Sequence, residues 1–465
     1  MSVHDKAIRA SNRSQARVKR LLEGPIVPTL AVLAIPNVAI AAAQSLATMA
    51  DAFFVGQLGV VPLAAIAVAF PIQALLSMLS QGAVGGGISS AVARALGAGD
   101  KARAEALIVH ALVIAVVLGA IYTLIFAVFA RPTFRFLGSQ GEALDGAVAY
   151  AQILFGGTIA IWAGNAFASV LRGTGNMLFP AIVMVSMLVL SVPLSGALTL
   201  GWFGLPAFGV RGPAIAFLAA FAIGGIIMAA YLVSGRAGLR FRLFGTPLRW
   251  ELFSDILRVG LVAGANAVLT ILTIIVVTAL VGRYGTEALA GYGLGSRLEI
   301  MLVPIAFGVG GALTAMVGLN RGAKAYARAR RIAWTGGSVV FVIATAIGIT
   351  VTIAPDLWLD LFTGNAEARD IARGYLGIAG PAYGFFGMGM ALYFATQGTG
   401  RMGWPVLAGI LRTFIVAGIG GILVVWFEAP LAWLFYAVAA GLMIFGCVIA
   451  GAVRFSRLWN PDRAA

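Results

Sequence analysis

The clearest chemical signal is four polar residues set in a long apolar stretch: Asn37, Gln44, Thr48 and Asp51. At 100° per residue on a helix they fall within about 60° of one another, so they form one stripe. An ionisable group at membrane depth is costly and faces a bundle interior or a water-filled cavity rather than lipid. Asp51 is the member of the stripe that can change charge. As an anion it attracts Na⁺ or an organic cation, and as a neutral acid it releases either. Competition for one carboxylate is enough to couple two fluxes. Pro36, at the start of the stripe, removes a backbone hydrogen bond and permits a bend.

A second acid, Glu299, lies in another apolar stretch and shares a helical face with Tyr292 and Ser296. Arg297 is on a different face, and Arg412 is a candidate ion-pair partner. Asn266, Thr270 and Thr273 form a further polar face. Phe386, Met390, Tyr393 and Gln397 share another, of the adaptable aromatic and thioether kind that accepts varied apolar ligands. Other chemistries are poorly supplied. His4, His110 and Cys447 are the only imidazoles and thiol, with no HExxH, so the usual metal-ligand sets are missing. A single cysteine makes no intrachain disulfide, and no GxxxxGK[ST] loop is present. We expect no metal and no cofactor, only a coupling ion, H⁺ or Na⁺.

The elements that must hold these residues follow from composition. The chain has 465 residues, 61% hydrophobic and 11% charged, against roughly 25% charged in a soluble chain. Apolar runs long enough for a span, about 20 residues, recur throughout. Bounded by charge, Gly or Pro, they give twelve predicted helices: 27–54, 62–91, 105–130, 147–170, 179–201, 212–234, 256–281, 288–317, 332–354, 371–396, 405–427 and 430–453. The 60 glycines suit helices packed closely in a bilayer. The net charge of +15 sits in short loops. It therefore reads as membrane topology and not as a nucleic-acid surface. Six basic residues in the N-terminal tail (Lys6, Arg9, Arg13, Arg17, Lys19 and Arg20), four basic loops including Arg172, then Arg401 and the C-terminal arginines place 24 basic residues on one side. Six lie on the other. That bias puts both termini in the cytoplasm. The polar, basic first residues show no cleavable-signal pattern.

The two halves repeat at an offset of about 226. Val55-Gly56 and Gly59 recur as Val281-Gly282 and Gly285; Gly82 and Gly85 recur as Gly308 and Gly311. "GTGNMLFP" at 173–180 recurs as "GTGRMGWP" at 398–405. Glu299 then corresponds to neutral Gln73. With six helices per half the repeats are parallel, related by an axis along the membrane normal, and such transporters bind substrate between halves that rock against each other. The expected divisions are a tail at 1–26, an N-lobe at 27–240, a cytoplasmic linker at 241–255 and a C-lobe at 256–465.

The blocks "ATMADAFFVGQLGVVPLAA", "GAVGGGISSAVARALGAGD", "LRGTGNMLFP", "GLNRGAKAYARARR" and "QGTGRMGWP" resemble the MATE (multidrug and toxic compound extrusion) family, over about Pro25 to Arg457. The resemblance implies an all-α integral membrane protein with two six-helix bundles around a central cavity. It also implies antiport of amphiphilic, often cationic, organic compounds against Na⁺ or H⁺, with Asp51 at the family's first-helix acidic position. This sequence departs from the pattern elsewhere. Leu188 and Val192 replace the polar pair that many relatives carry in the fifth helix, the tenth-helix aspartate is missing, and Asn266 or its neighbours stand where a seventh-helix glutamate is common. Asp51 is left as the main coupling candidate, and H⁺ is favoured over Na⁺. The lipid bilayer and a small organic substrate are the expected partners, in a monomer that binds no nucleic acid at the inner (plasma) membrane. A lipid-linked or polysaccharide flippase of the same superfamily is the alternative. It would line its cavity with several basic residues, for which only Arg297 and Arg412 offer themselves. A membrane enzyme would need a sizeable loop to hold its site, and the loops here are short.

Overall fold

A computed structural model describes residues 15–243, 245–362 and 365–459, with the side chain of Ile300 left aside. The tail charges Lys6, Arg9 and Arg13 and the C-terminal Arg463 lie outside the described residues; 15–23 form a short helix. Twelve spans follow: α1 (Ile26–Gly56), α2 (Val60–Gly97), α3 (Lys101–Phe136), α4 (Gly141–Gly156 and Thr158–Gly173, bent by 47°), α5 (Leu178–Leu200), α6 (Arg211–Val233), α7 (Trp250–Gly282), α8 (Thr286–Gly322), α9 (Tyr326–Ile353), α10 (Ala366–Gly398), α11 (Gly403–Val425) and α12 (Leu431–Phe455). Eleven are long and apolar enough to cross a membrane singly, and the bent pair makes the twelfth. Several run longer than the apolar stretches alone suggest. α7 starts at Trp250, inside the segment expected as linker, and α2 reaches Gly97.

The repeat is visible in backbone detail. Gly59 and Gly285 open α2 and α8 with φ of 119° and 106° and ψ close to 180°, a region open essentially to glycine alone. Both turns therefore bend back in the same way. Where one half bends a helix with proline, the other uses a π-helical stretch. The π-helical Met78–Val84 of α2 faces Pro304 of α8 in the repeat, and Phe414–Ile419 of α11 faces Pro193 of α5. Both devices open the i→i−4 ladder and turn the axis.

Each lobe has its own apolar core, but the first helix of each begins in the other's. Leu30, Leu33 and Ala34 of α1 pack in the second-half core, while Ala47 belongs to the first. Reciprocally, Leu252 and Ile256 of α7 pack in the first-half core, and Val259 and Ala263 in the second. The expected lobe boundaries at 27 and 256 mark the sequence repeat, whereas packing exchanges the starts of α1 and α7.

The first and last described segments, 15–24 and 456–459, lie at one end. Asn320 Nδ2 donates to the Leu21 carbonyl (3.1 Å), Arg321 to the Leu458 carbonyl (2.7 Å) and Arg328 to the Gly24 carbonyl. At the opposite end the short helix Asp356–Leu359 precedes α10. There Arg373 and Arg369 donate to Asp356 and hold its carboxyl below the ordinary carboxylate range.

Candidate functional site

The end that carries the termini is sealed between the halves. Arg94 at the tip of α2 pairs with Asp255 of α7 (2.5 Å), and Arg103 at the start of α3 pairs with Glu251 (2.6 Å) and Asp255 (3.4 Å). Ser90 donates to the Gln397 carbonyl (2.6 Å), and Gln397 Nε2 donates to the Gly82 carbonyl (2.9 Å). The backbones of α2 and α8 touch at equivalent glycines. A Cβ on Gly97 would fall 2.0 Å from the Leu319 carbonyl oxygen, and one on Gly322 would fall 2.1 Å from that of Arg94. Only glycine permits so close a crossing.

Beyond the seal lies a cavity of about 470 Å³. The expected residues Asn37, Gln44, Thr48, Gln73 and Gln397 line it, with Phe70, Met78, Phe307 and Phe394 among the apolar wall. Asn37 Nδ2 also donates to the Gly308 carbonyl of α8 (3.3 Å), which ties the stripe to the second half. The two lobes therefore share the cavity, as the parallel repeat implies.

Asp51 is placed differently from the rest of its stripe. It is half-buried and accepts a hydrogen bond from Ser195 of α5 at 2.5 Å (Oγ to Oδ1), outside the residues that line the cavity. The approach depends on the next residue, Gly196, where a Cβ would meet Trp202 at 2.7 Å and Phe54 at 3.0 Å. Tyr150, which donates to Gln73 Oε1 at 3.0 Å, lies within electrostatic reach of Asp51. Tyr150 thus ties α4 to Gln73 on the cavity wall.

The second acid forms a separate centre inside the second half. Glu299 pairs with Arg412 (3.2 Å), the partner expected for it, and accepts from Tyr375 (3.1 Å). The Arg412 guanidinium stacks over Phe386 (5.2 Å), and Tyr292 packs edge-on against Tyr375 (5.3 Å). Glu299, Tyr292 and Phe386 are therefore drawn together, away from the central cavity where they were expected. The other expected cavity residues also sit off it. Thr270 Oγ1 donates to the Asn266 carbonyl (2.9 Å), Asn266 packs against Gly409, and Tyr393 reaches the Ala263 carbonyl (3.5 Å). Met390 packs against the second-half core. The hydroxyls of Thr270 and Tyr393 thus serve contacts within the second half.

Two residues were missed. Ser195 had no signal of its own, because its role depends on α1 meeting α5. Arg172 was counted as a loop charge, but it is half-buried near the end of α4, lines the cavity and donates to Ser169 Oγ at 2.7 Å. Arg297, which only the flippase alternative would have brought to the cavity wall, stacks on Phe362 (5.5 Å). Among the described residues no group of three or more His, Cys, Asp or Glu could hold a metal ion.

A twelve-helix bundle of two like halves around one polar-striped cavity defines a membrane transporter of the two-lobe type. The MatE family profile matches residues 36–196 and 262–422, two segments separated by the repeat offset of 226. The chain belongs to that family, a family of transporters and not of enzymes. It is 27% identical to the probable multidrug resistance protein YoeA of Bacillus subtilis over 79% of this chain and 80% of that one. It is 25% identical to the FAD transporter of Shewanella oneidensis over 81% and 82%. Among solved structures it superposes on a MOP superfamily transporter from Pyrococcus furiosus, described as having a binding pocket of reverse polarity. The TM-score is 0.86 at 26% identity, over 94% of this chain and 98% of that one.

Proposed function

We propose that this protein is a secondary antiporter that expels amphiphilic organic compounds in exchange for an ion, its cavity open alternately to the two faces of the membrane. The observation that carries the reading is the inter-lobe cavity shut at one end by a contact that the repeat duplicates, Gly97 on α8 and Gly322 on α2. A seal built from two equivalent helix ends can part when the halves rock. Relatives named for multidrug resistance and for FAD transport support export of sizeable organic molecules, and differ in cargo. The basic loops support an orientation with both termini cytoplasmic in the inner (plasma) membrane, as a single multi-pass chain. In that orientation the sealed end is cytoplasmic and the cavity faces outward.

Asp51 is the coupling residue in this reading, and H⁺ is the ion it favours. Na⁺ takes several oxygen ligands, while Asp51 has one hydroxyl partner, Ser195, and no second carboxylate beside it among the described residues. A proton needs only one carboxyl. Transport of a fluorescent amphiphile into proteoliposomes under an imposed pH gradient tests this, beside a Na⁺ gradient with no pH difference. Uptake is expected with the first. Robust uptake with the second alone would make Na⁺ the coupling ion. Flux under neither gradient, with no change on collapsing both, would remove the antiport reading.

The flippase alternative calls for several basic residues on the cavity wall, and among the described residues Arg172 is the one basic side chain lining it. The cationic cargo that the family resemblance implies is not favoured by that wall either, because no carboxylate is among the described residues lining it.

A further inference from the structure

Arg172 is the one charged side chain among the described residues lining the cavity. Its side-chain hydrogen bond is to Ser169 Oγ, one turn back on its own helix, and among the described residues no carboxylate lies within ion-pair distance of it. Other arginines set within the spans are matched: Arg94 by Asp255, Arg412 by Glu299, Arg297 by an aromatic face. The backbone of α2 is cut away to expose Arg172. Gly85 lines the cavity over it, and a Cβ there would fall 2.7 Å from Ser169 Oγ and 3.7 Å from Arg172 Nη2. Beside it Ser89 is buried, faces the same cavity, and its hydroxyl has no partner. Neutral amides, Gln44, Gln73 and Gln81, and the apolar rings Phe70, Phe307 and Phe394 make up other parts of the wall.

We propose that Arg172, with Ser89, is the docking point for an anionic group, a carboxylate or phosphate, on an amphiphile whose apolar body lies against the aromatic wall. A guanidinium offers a planar fork of donors that matches either oxyanion with two parallel hydrogen bonds. A charge at membrane depth is retained where it finds a partner or faces a water-filled cavity. Here the fork faces the cavity with its own ion pair unmade, so the cargo supplies the counter-charge. An organic cation would meet a like charge and no compensating carboxylate. This inference rests on the transport reading above and assigns the cargo its sign.

The test uses three compounds with one ring system: 1-naphthyl phosphate, uncharged 1-naphthol and (1-naphthyl)trimethylammonium. Binding is measured by titration calorimetry on the purified full-length protein in detergent, and transport in proteoliposomes. The wild type should bind the phosphate at least tenfold more tightly than the other two. Arg172→Gln should abolish that preference while leaving naphthol binding within twofold, and Arg172→Lys should keep part of it. Equal or tighter binding of the ammonium by the wild type overturns the proposal, a result independent of whether any variant folds. Phosphate affinity unchanged within twofold in Arg172→Gln overturns it as well. Failure of the transport reading is a separate outcome: binding with the expected preference, but no gradient-driven flux of any of the three.

Discussion

Gln73 and Glu299 are the same position in the two repeats, and each accepts a hydrogen bond from an equivalently placed tyrosine, Tyr150 at 3.0 Å and Tyr375 at 3.1 Å. The hydrogen bond has been kept while the charge has not. In the first half the amide faces the cavity and the carboxyl is moved to Asp51. In the second half the acid stays, and Arg412 neutralises it. The pseudo-symmetric frame thus carries two unlike centres: a lone carboxyl on one side, and on the other a closed ion pair in an aromatic surround.

That asymmetry predicts different responses to mutation. Glu299 and Arg412 are largely buried, with side chains 15% and 11% exposed. Removing one partner of such a pair costs about 3–5 kcal/mol, because the other is left uncompensated. Glu299→Gln and Arg412→Met should each lower the unfolding temperature in detergent markedly, and the double variant should recover most of the loss. If the double variant is destabilised by the sum of the single effects, the two residues do not act as a pair.

The seal makes a second prediction. A methyl group at Gly97 or Gly322 meets backbone carbonyls at 2.0 and 2.1 Å. Overpacking costs about 1–3 kcal/mol, which shifts a balanced two-state equilibrium about 5- to 150-fold. Gly97→Ala and Gly322→Ala should each open the terminal end and slow transport. With Cys447→Ser as background and Ser89→Cys as reporter, a membrane-impermeant maleimide applied from that end should react faster in the alanine variants. Unchanged labelling would mean that this crossing is not the seal.

The far ends of the lobes supply a third. Gln57 and Arg283 cap α1 and α7 at equivalent positions. A disulfide needs Cα atoms within about 7 Å, so Gln57→Cys with Arg283→Cys, again with Cys447→Ser, should crosslink only when the lobes close at this end. Oxidation should then block transport and reduction restore it. Leu58→Cys with Tyr284→Cys belongs in the same scan. Crosslinking that leaves flux untouched, or that never forms at any of these positions, would rule out rocking of two parallel lobes.

Much of this was legible in the sequence, for identifiable reasons. Apolar run length finds spans because the bilayer fixes it, and the matched glycines at 59 and 285 gave the repeat because only glycine takes their conformation. Glu299 found Arg412 because a buried charge needs a partner. What stayed hidden depended on contacts between helices. Ser195 becomes the partner of Asp51 only where Gly196 lets α1 and α5 touch. Arg172 ends an apolar run and so reads as a flanking loop charge, yet α4 carries it to the cavity floor. The π-helical stretches of α2 and α11 have no composition that marks them, and the exchange of the starts of α1 and α7 between cores is a property of the assembled bundle.

The central claim is that a single switchable carboxyl couples the flux, and Asp51→Asn tests it most directly. The amide keeps the shape and can still accept from Ser195, but it cannot bind and release a proton. In proteoliposomes with an imposed pH gradient, the wild type should drive a fluorescent amphiphile against its own gradient. Asp51→Asn should show near wild-type thermal stability and substrate binding, yet no gradient-driven transport. Transport by Asp51→Asn at the wild-type rate under the same gradient would contradict the account.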